Sequence, residues 1–266
     1  MEKFIDIIPM FLYFLSSVTF WIYLFNRNVT FQKLGHSFFG LGFSSQILLF
    51  IFKTINKGSL PLSDINEILF FLSMVMAMIF YGFSFAYRKQ LVEFGSLMAP
   101  LIMFLIAFTI PFESRSTNIY HNFWFYMHVG SLVLSYGLIM FSSITAIIYI
   151  MTDRDLKRKK LNSFFVSKFS SSLEMVNNLE YKSTILAFIF LSIGLISSSV
   201  WTAIYVGKHW TWDLKQVLLS FLWLFYGFIL HTRIIKNIVG RKASYLTLLG
   251  GLIAFIVFWL VGHPIF

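Results

Sequence analysis

Apolar residues fall in blocks along this chain rather than in stripes. Runs near 6–25, 34–52, 67–87, 94–112, 123–151, 184–205, 214–235 and 244–262 are nearly free of charge, and the polar residues gather in short segments between them. A helix facing a soluble core would keep one polar side in each run, and these runs are apolar all round. A bilayer core of about 30 Å needs roughly 20 helical residues at 1.5 Å each, a length these runs approach or meet. The pattern predicts an all-α, polytopic integral membrane protein of about eight transmembrane helices, forming a single membrane domain over 1–266 with no clear internal repeat. Two connectors stand out. "KTINKGSLPLSDIN" (53–66) carries turn chemistry, and 152–183 opens on "DRDLKRKK". The first run has one basic residue ahead of it and no small-residue processing site before Asn26 and Arg27, so it is expected to remain as a helix.

Composition agrees with that class. Of the 266 residues 58% are hydrophobic, 20% aromatic and only 12% charged, with a mean hydropathy of +0.78, more apolar than a soluble domain of this size. There is no cysteine, which excludes disulfides, CxxC redox pairs and thiolate-bound metals built from this chain alone, so any metal must find histidine. The formal charge of +10 comes from short Lys and Arg clusters between apolar runs; that is a topology signal and not a nucleic-acid surface. Counting on alternate sides places 15 of the 21 basic residues on one side, among them Arg154, the run from Lys157 to Lys160, Arg233 and Arg241. That side is expected to be cytoplasmic in the cell's inner (plasma) membrane. Both termini and the loop "GKHWTWD" (207–213) then face out.

With the spans oriented, the six histidines acquire depths. His128 in the first turns of the fifth run and His263 just past the eighth lie near the outer surface. His36 opens the second run and His231 nearly closes the seventh, both near the inner surface, while His121 and His209 fall in outer connections. Two neutral imidazoles at one depth on different helices suit bis-histidine ligation of haem iron; the plainer alternative for each is an interfacial polar residue or an interhelical hydrogen-bond partner. Trp201, Trp210 and Trp212 flank the tight outer loop 206–213, and Trp124 lies one turn before His128. Tryptophan collects at membrane interfaces in any case, but flat rings here can stack a porphyrin while Asp213, Lys208 and Lys215 meet its propionates.

These residues carry a resemblance. "HWTWDLKQVLLSFLWLFYGFILHTR" (209–233) resembles the Trp-rich WWD segment and following helix of the cytochrome c assembly protein family, which includes haem-handling CcsA/ResC, CcmC and HemX-like membrane proteins. "LPLSDINEILFFLS" (60–73), "MHVGSLVLSYG" (127–137) and "GHPIF" (262–266) match in the same order. The resemblance implies a non-covalent, b-type haem presented on the outer face by the Trp loop, its iron held by His128 and His263, and an inner haem site that uses His231. The second inner ligand resembles a contribution from a partner membrane protein in the two-protein version of that system; His36 is the candidate from depth alone. Haem, apocytochrome c and a second assembly protein are the implied partners. The loop departs from the family pattern by being short, with Leu214 where Pro is expected and Gln216 where Glu is expected.

Three functions compete on this reading. Haem transport or presentation for cytochrome c maturation leads, with any enzyme activity shared with partners, because the thiols must come from another chain. A HemX-like regulatory or scaffold role in tetrapyrrole synthesis is the alternative favoured by the short loop. A secondary transporter for another solute would predict polar or broken helices at mid-membrane, for which Pro100 is the main sign. Asp64 and Glu67 are expected to cap the third helix.

Overall fold

The structure is a computed structural model that describes residues 5–87, 91–110, 122–169 and 171–260. Among the described residues every regular element is helical: α1 Ile7–Asn26, α2 Val29–Lys57, α3 Ile65–Tyr87, α4 Gly95–Ala107, α5 Phe123–Lys157, α6 Phe164–Lys168, α7 Leu173–Val206, α8 Leu214–Ile234 and α9 Arg241–Leu260. Seven of these, all but α4 and α6, are long and apolar enough to cross a membrane, so the chain is a multi-pass membrane protein. The fourth apolar run yields the 13-residue α4, about 20 Å long, and the helix continues through Pro100 without a break.

Local chemistry sets the ends. Asn28, Asn122, Ser172 and Asp213 each accept a hydrogen bond from a backbone N–H in the first turn of the helix they precede, and Gly58 and Gly207 close α2 and α7 in the left-handed region, where glycine carries no Cβ penalty. At α3, Asp64 Oδ1 accepts from the N–H groups of Asn66 and Glu67, and Glu67 Oε2 reaches back to the N–H of Ser63 at 2.7 Å. The two acids are caps, as the sequence pattern predicts.

The chain clusters into two compact units, Met1–Asn118 with Ser167–Ser171, and Ile119–Val166 with Ser172–Phe266. In the first, α1 packs on α2 and α4, and α3 on α4. A buried chain of bonds runs from Tyr13 Oη to Gln46 Oε1 (2.7 Å) and from Gln46 Nε2 to Ser73 Oγ (2.7 Å); each buried polar group thereby keeps a partner that water cannot supply.

In the second unit α5 packs along α7 and α9, and α8 on α7 and α9. Small residues permit the approach. A Cβ on Gly194 would meet the Leu132 side chain, and one on Gly251 would run into Ser143. The α5–α9 pair is antiparallel with constant register: Tyr136 faces Phe258 with ring centroids 5.3 Å apart, Ser143 faces Gly251, and Asp153 lies 4.0 Å from Arg241.

Candidate functional site

One end of the second unit gathers most of the aromatic candidates. Asn122 caps α5 and its amide also donates to Tyr205 Oη on α7 at 3.2 Å. Phe125 on α5 meets Trp201 on α7 at 6.2 Å, and Trp201 meets Tyr205 at 5.5 Å. His128 follows Phe125 by about one turn, roughly 4.5 Å along the axis. It is half-buried, and its Nδ1 lies 2.8 Å from the Gly194 carbonyl. A carbonyl oxygen has no proton to give, so Nδ1 carries the hydrogen and donates, which leaves the lone pair on Nε2. A backbone carbonyl on the distal nitrogen is also how metal-ligating imidazoles are commonly oriented.

The Trp loop is held by its own polar groups. Asp213 uses both oxygens: Oδ1 accepts from Gln216 N at 2.8 Å, capping α8, and Oδ2 accepts from the Thr211 hydroxyl at 2.5 Å. Gln216 returns the favour, its Oε1 accepting from Thr211 N at 2.8 Å and from the Thr211 hydroxyl at 3.1 Å. This is a variant of the capping box, and it gives Gln216 an acceptor's role in the place where Glu is expected. Asp213 is thus a positioning residue that shapes the loop. The locked loop puts Trp212 at φ 60°, a sparsely allowed region for a bulky side chain, and leaves the residue 80% exposed. Trp210 stands edge-on to it at 5.7 Å. His209 is exposed beside Ser199, whose hydroxyl donates to the His209 carbonyl at 3.2 Å.

The remaining histidines are spread out. His231 is exposed in the last turn of α8, at the opposite end of the second unit from His128. His36 belongs to the first unit, half-buried between Phe20 (5.1 Å, edge-on) and Phe80 (6.4 Å, stacked). His121 and His263 lie outside the described residues, where α9 is followed to Leu260. Among the described residues no three His, Cys, Asp or Glu side chains converge on a common point.

Two residues from His231 sits a cluster the sequence did not reveal. Glu180 on α7 is fully buried and paired with Arg233 of α8; its carboxylate also accepts from Ser244 Oγ (2.6 Å) and Thr247 Oγ1 (2.8 Å) of α9. The guanidinium lies over the Tyr181 ring at 5.5 Å. Glu180 falls just outside the apolar run that begins near 184, so a search for acids inside the spans passes over it. The usable signal is the polar pair Ser244 and Thr247, three apart on one helix face.

Comparison with known proteins decides the family. The model of the cytochrome C assembly protein family matches residues 62–263, which is most of the chain. The chain belongs to the cytochrome c assembly protein family. Among relatives named Cytochrome c biogenesis protein CcsA, that of Guillardia theta is 28% identical over 92% of this chain and 87% of its own length. That of Cyanidium caldarium is 30% identical over 75% and 76%, and that of Cyanophora paradoxa 26% identical over 98% and 92%. The family match takes in His128, Glu180, the Trp loop, His231 and Arg233, and it ends at His263. His36, on α2, lies before it.

Proposed function

We propose that this member of the cytochrome c assembly protein family serves cytochrome c biogenesis by holding haem b non-covalently at the Trp-loop end of its second unit. There it presents the group to apocytochrome c on the outer face of the plasma membrane. The observation that carries the reading is His128: the Gly194 carbonyl fixes the tautomer that leaves Nε2 free to bind iron. His263 would be the second residue to hold the iron. The α5–α9 register supports it, since Leu260 comes level with Leu134, about 9 Å below His128 along α5, and the family match extends to His263. When bound, haem would supply a ligand-binding iron and two vinyl groups for thioether formation with cysteines that this chain lacks.

The chain's own work is placement. Trp201, Trp210 and Trp212 supply flat faces for stacking, worth about 0.5–1.5 kcal/mol per ring pair beyond burial. Lys208 and Lys215 offer charge to propionates, and Asp213 with Gln216 holds the loop in shape. His231 would serve an inner site on the cytoplasmic route, its second ligand coming from a second assembly protein. Ligation of haem to protein would then be an activity of the assembled system.

The test is optical. His128→Gly and His263→Gly should each lose the low-spin bis-histidine spectrum in purified protein and regain it with added imidazole. A double variant with an unchanged spectrum would remove this site. The short loop, seven residues from Gly207 to Asp213, favours a second, HemX-like reading in which bound haem reports supply to tetrapyrrole synthesis. A deletion strain that keeps its c-type cytochromes and loses control of tetrapyrrole output would select that reading.

A further inference from the structure

The opposite end of the second unit carries a groove that haem handling does not use. It has a volume of about 390 Å³ and lies between the last turns of α5 and the first turns of α9. At one end stand Arg154, Arg158 and Arg241; the walls are Ile147, Ile150 and Leu248, with Tyr245 beneath Arg241, whose guanidinium lies 5.7 Å from the ring centroid. Arg154 and Arg158 are exposed, and among the described residues their side chains make no hydrogen bond or ion pair. Of the two acids that flank Arg154 in the chain, Asp153 is engaged by Lys157 at 2.9 Å, with Arg241 at the limit of pairing, 4.0 Å away, and Asp155 does not line the groove. The groove therefore keeps a net positive head above an apolar wall.

We propose that this groove binds one anionic phospholipid of the surrounding leaflet, its phosphate taken by Arg154, Arg158 and Arg241 and its first acyl carbons laid along Ile147, Ile150 and Leu248. Geometry and charge both point to this occupant. From Ile147 to Arg158 α5 rises about 16 Å, so the groove runs from the end of the apolar run into the basic segment, the depth at which headgroups meet acyl chains. Planar guanidiniums bind phosphate oxygens in pairs, and basic pockets between transmembrane helices are an established place for anionic headgroups. Haem is the other anionic amphiphile to weigh. The lining holds no histidine to ligate its iron, and the lipid is the better fit. The inference stands apart from the haem reading, because it uses neither His128 nor the Trp loop.

The experiment uses the full chain purified in detergent and passed through nanodiscs of phosphatidylcholine with or without phosphatidylglycerol, with bound lipid read by native mass spectrometry. One phosphatidylglycerol per chain should survive detergent exchange. R154Q/R158Q, which breaks no hydrogen bond or ion pair among the described residues, should weaken its retention by about 25-fold, roughly fivefold for each charge near the surface. Ile147→Trp, which fills the wall and leaves the charges alone, should also reduce retention. Equal retention of phosphatidylcholine, full retention in R154Q/R158Q, displacement by inorganic phosphate alone, or displacement by stoichiometric haem would each overturn the proposal.

Discussion

Replacing Glu180 and Arg233 singly and together by methionine tests whether the ends of α7, α8 and α9 are held as one polar unit. Glu180 has no exposed surface and Arg233 has 4%, so either charge left alone stays out of reach of water. The stranded guanidinium of Glu180→Met would retain only Tyr181 and Thr247, the latter at 3.5 Å, and the stranded carboxylate of Arg233→Met only the Ser244 and Thr247 hydroxyls. Breaking a buried pair on one side costs about 3–5 kcal/mol, whereas exchanging both partners for apolar residues of similar volume is often neutral or better. The Ser244 hydroxyl has a fallback in the Gly240 carbonyl at 3.3 Å, which limits what the double variant loses. Each single change should lower the midpoint of thermal unfolding in detergent by on the order of 10 °C, from about 2–4 °C per kcal/mol for a unit of this size. Glu180→Met/Arg233→Met should return close to the wild type, giving a coupling of at least about 5 kcal/mol. A double variant that falls by the sum of the two singles would refute the argument, because it would mean that each residue acts through separate contacts.

Trp212 separates stacking from backbone strain. Trp212→Gly should stabilise the fold by up to about 1 kcal/mol, since glycine tolerates the positive φ, yet weaken haem retention several-fold, while Trp212→Phe keeps most of the haem; equal retention in both would make the ring a plain interfacial anchor. Asp213→Ala removes the α8 cap and should cost about 1 kcal/mol, with Asp213→Asn milder in both unfolding and haem content. His231→Ala should reduce haem at the outer end if cargo arrives from the cytoplasm, whereas His263→Ala should leave haem waiting at the inner end; unchanged outer haem after the His231 change would end the transport reading. Reporter fusions after Lys160 should stay cytoplasmic and fusions at the C-terminus should be exported, and an exported reporter at 160 would invert every depth assigned above.

Block hydropathy located the middles of the helices because only the bilayer-length apolar stretch writes itself into composition. The ends depend on other forces. α2 starts at Val29 and runs to Lys57, several residues past its apolar run at both ends, because Asn28 supplies a cap and Gly58 a left-handed stop. α7 begins at Leu173, about three turns before the apolar run near 184, with Ser172 accepting from Met175 N at 3.2 Å. Its first turns are half polar, so a hydropathy ruler reads them as loop, while a search for caps would have found Ser172 with Glu174 behind it. The fourth run differs in the other direction. Its composition suits a span, and among the described residues it is helix from Gly95 to Ala107.

The candidate site was legible to the extent that it would use rare residues. Histidines and a tryptophan loop stand out against leucine and phenylalanine, and the depths expected of them follow from the predicted spans. What decides their chemistry was hidden. The tautomer of His128 depends on a carbonyl 66 positions away, and a carbonyl belongs to every residue, so no pattern marks it. The role of Gln216 appears only when its side chain meets Thr211. Arg233 shows the same limit in the charge count, which reads it as a cytoplasmic anchor when it is in fact buried against Glu180. A neutralised pair inside the protein attracts no lipid headgroups and gives no topology signal. Setting Arg233 aside leaves 14 of 20 basic residues on the same side, so the expected orientation rests on residues such as Arg154 and Arg158, whose charges have no ion-pair partner among the described residues and which line the groove proposed for an anionic lipid.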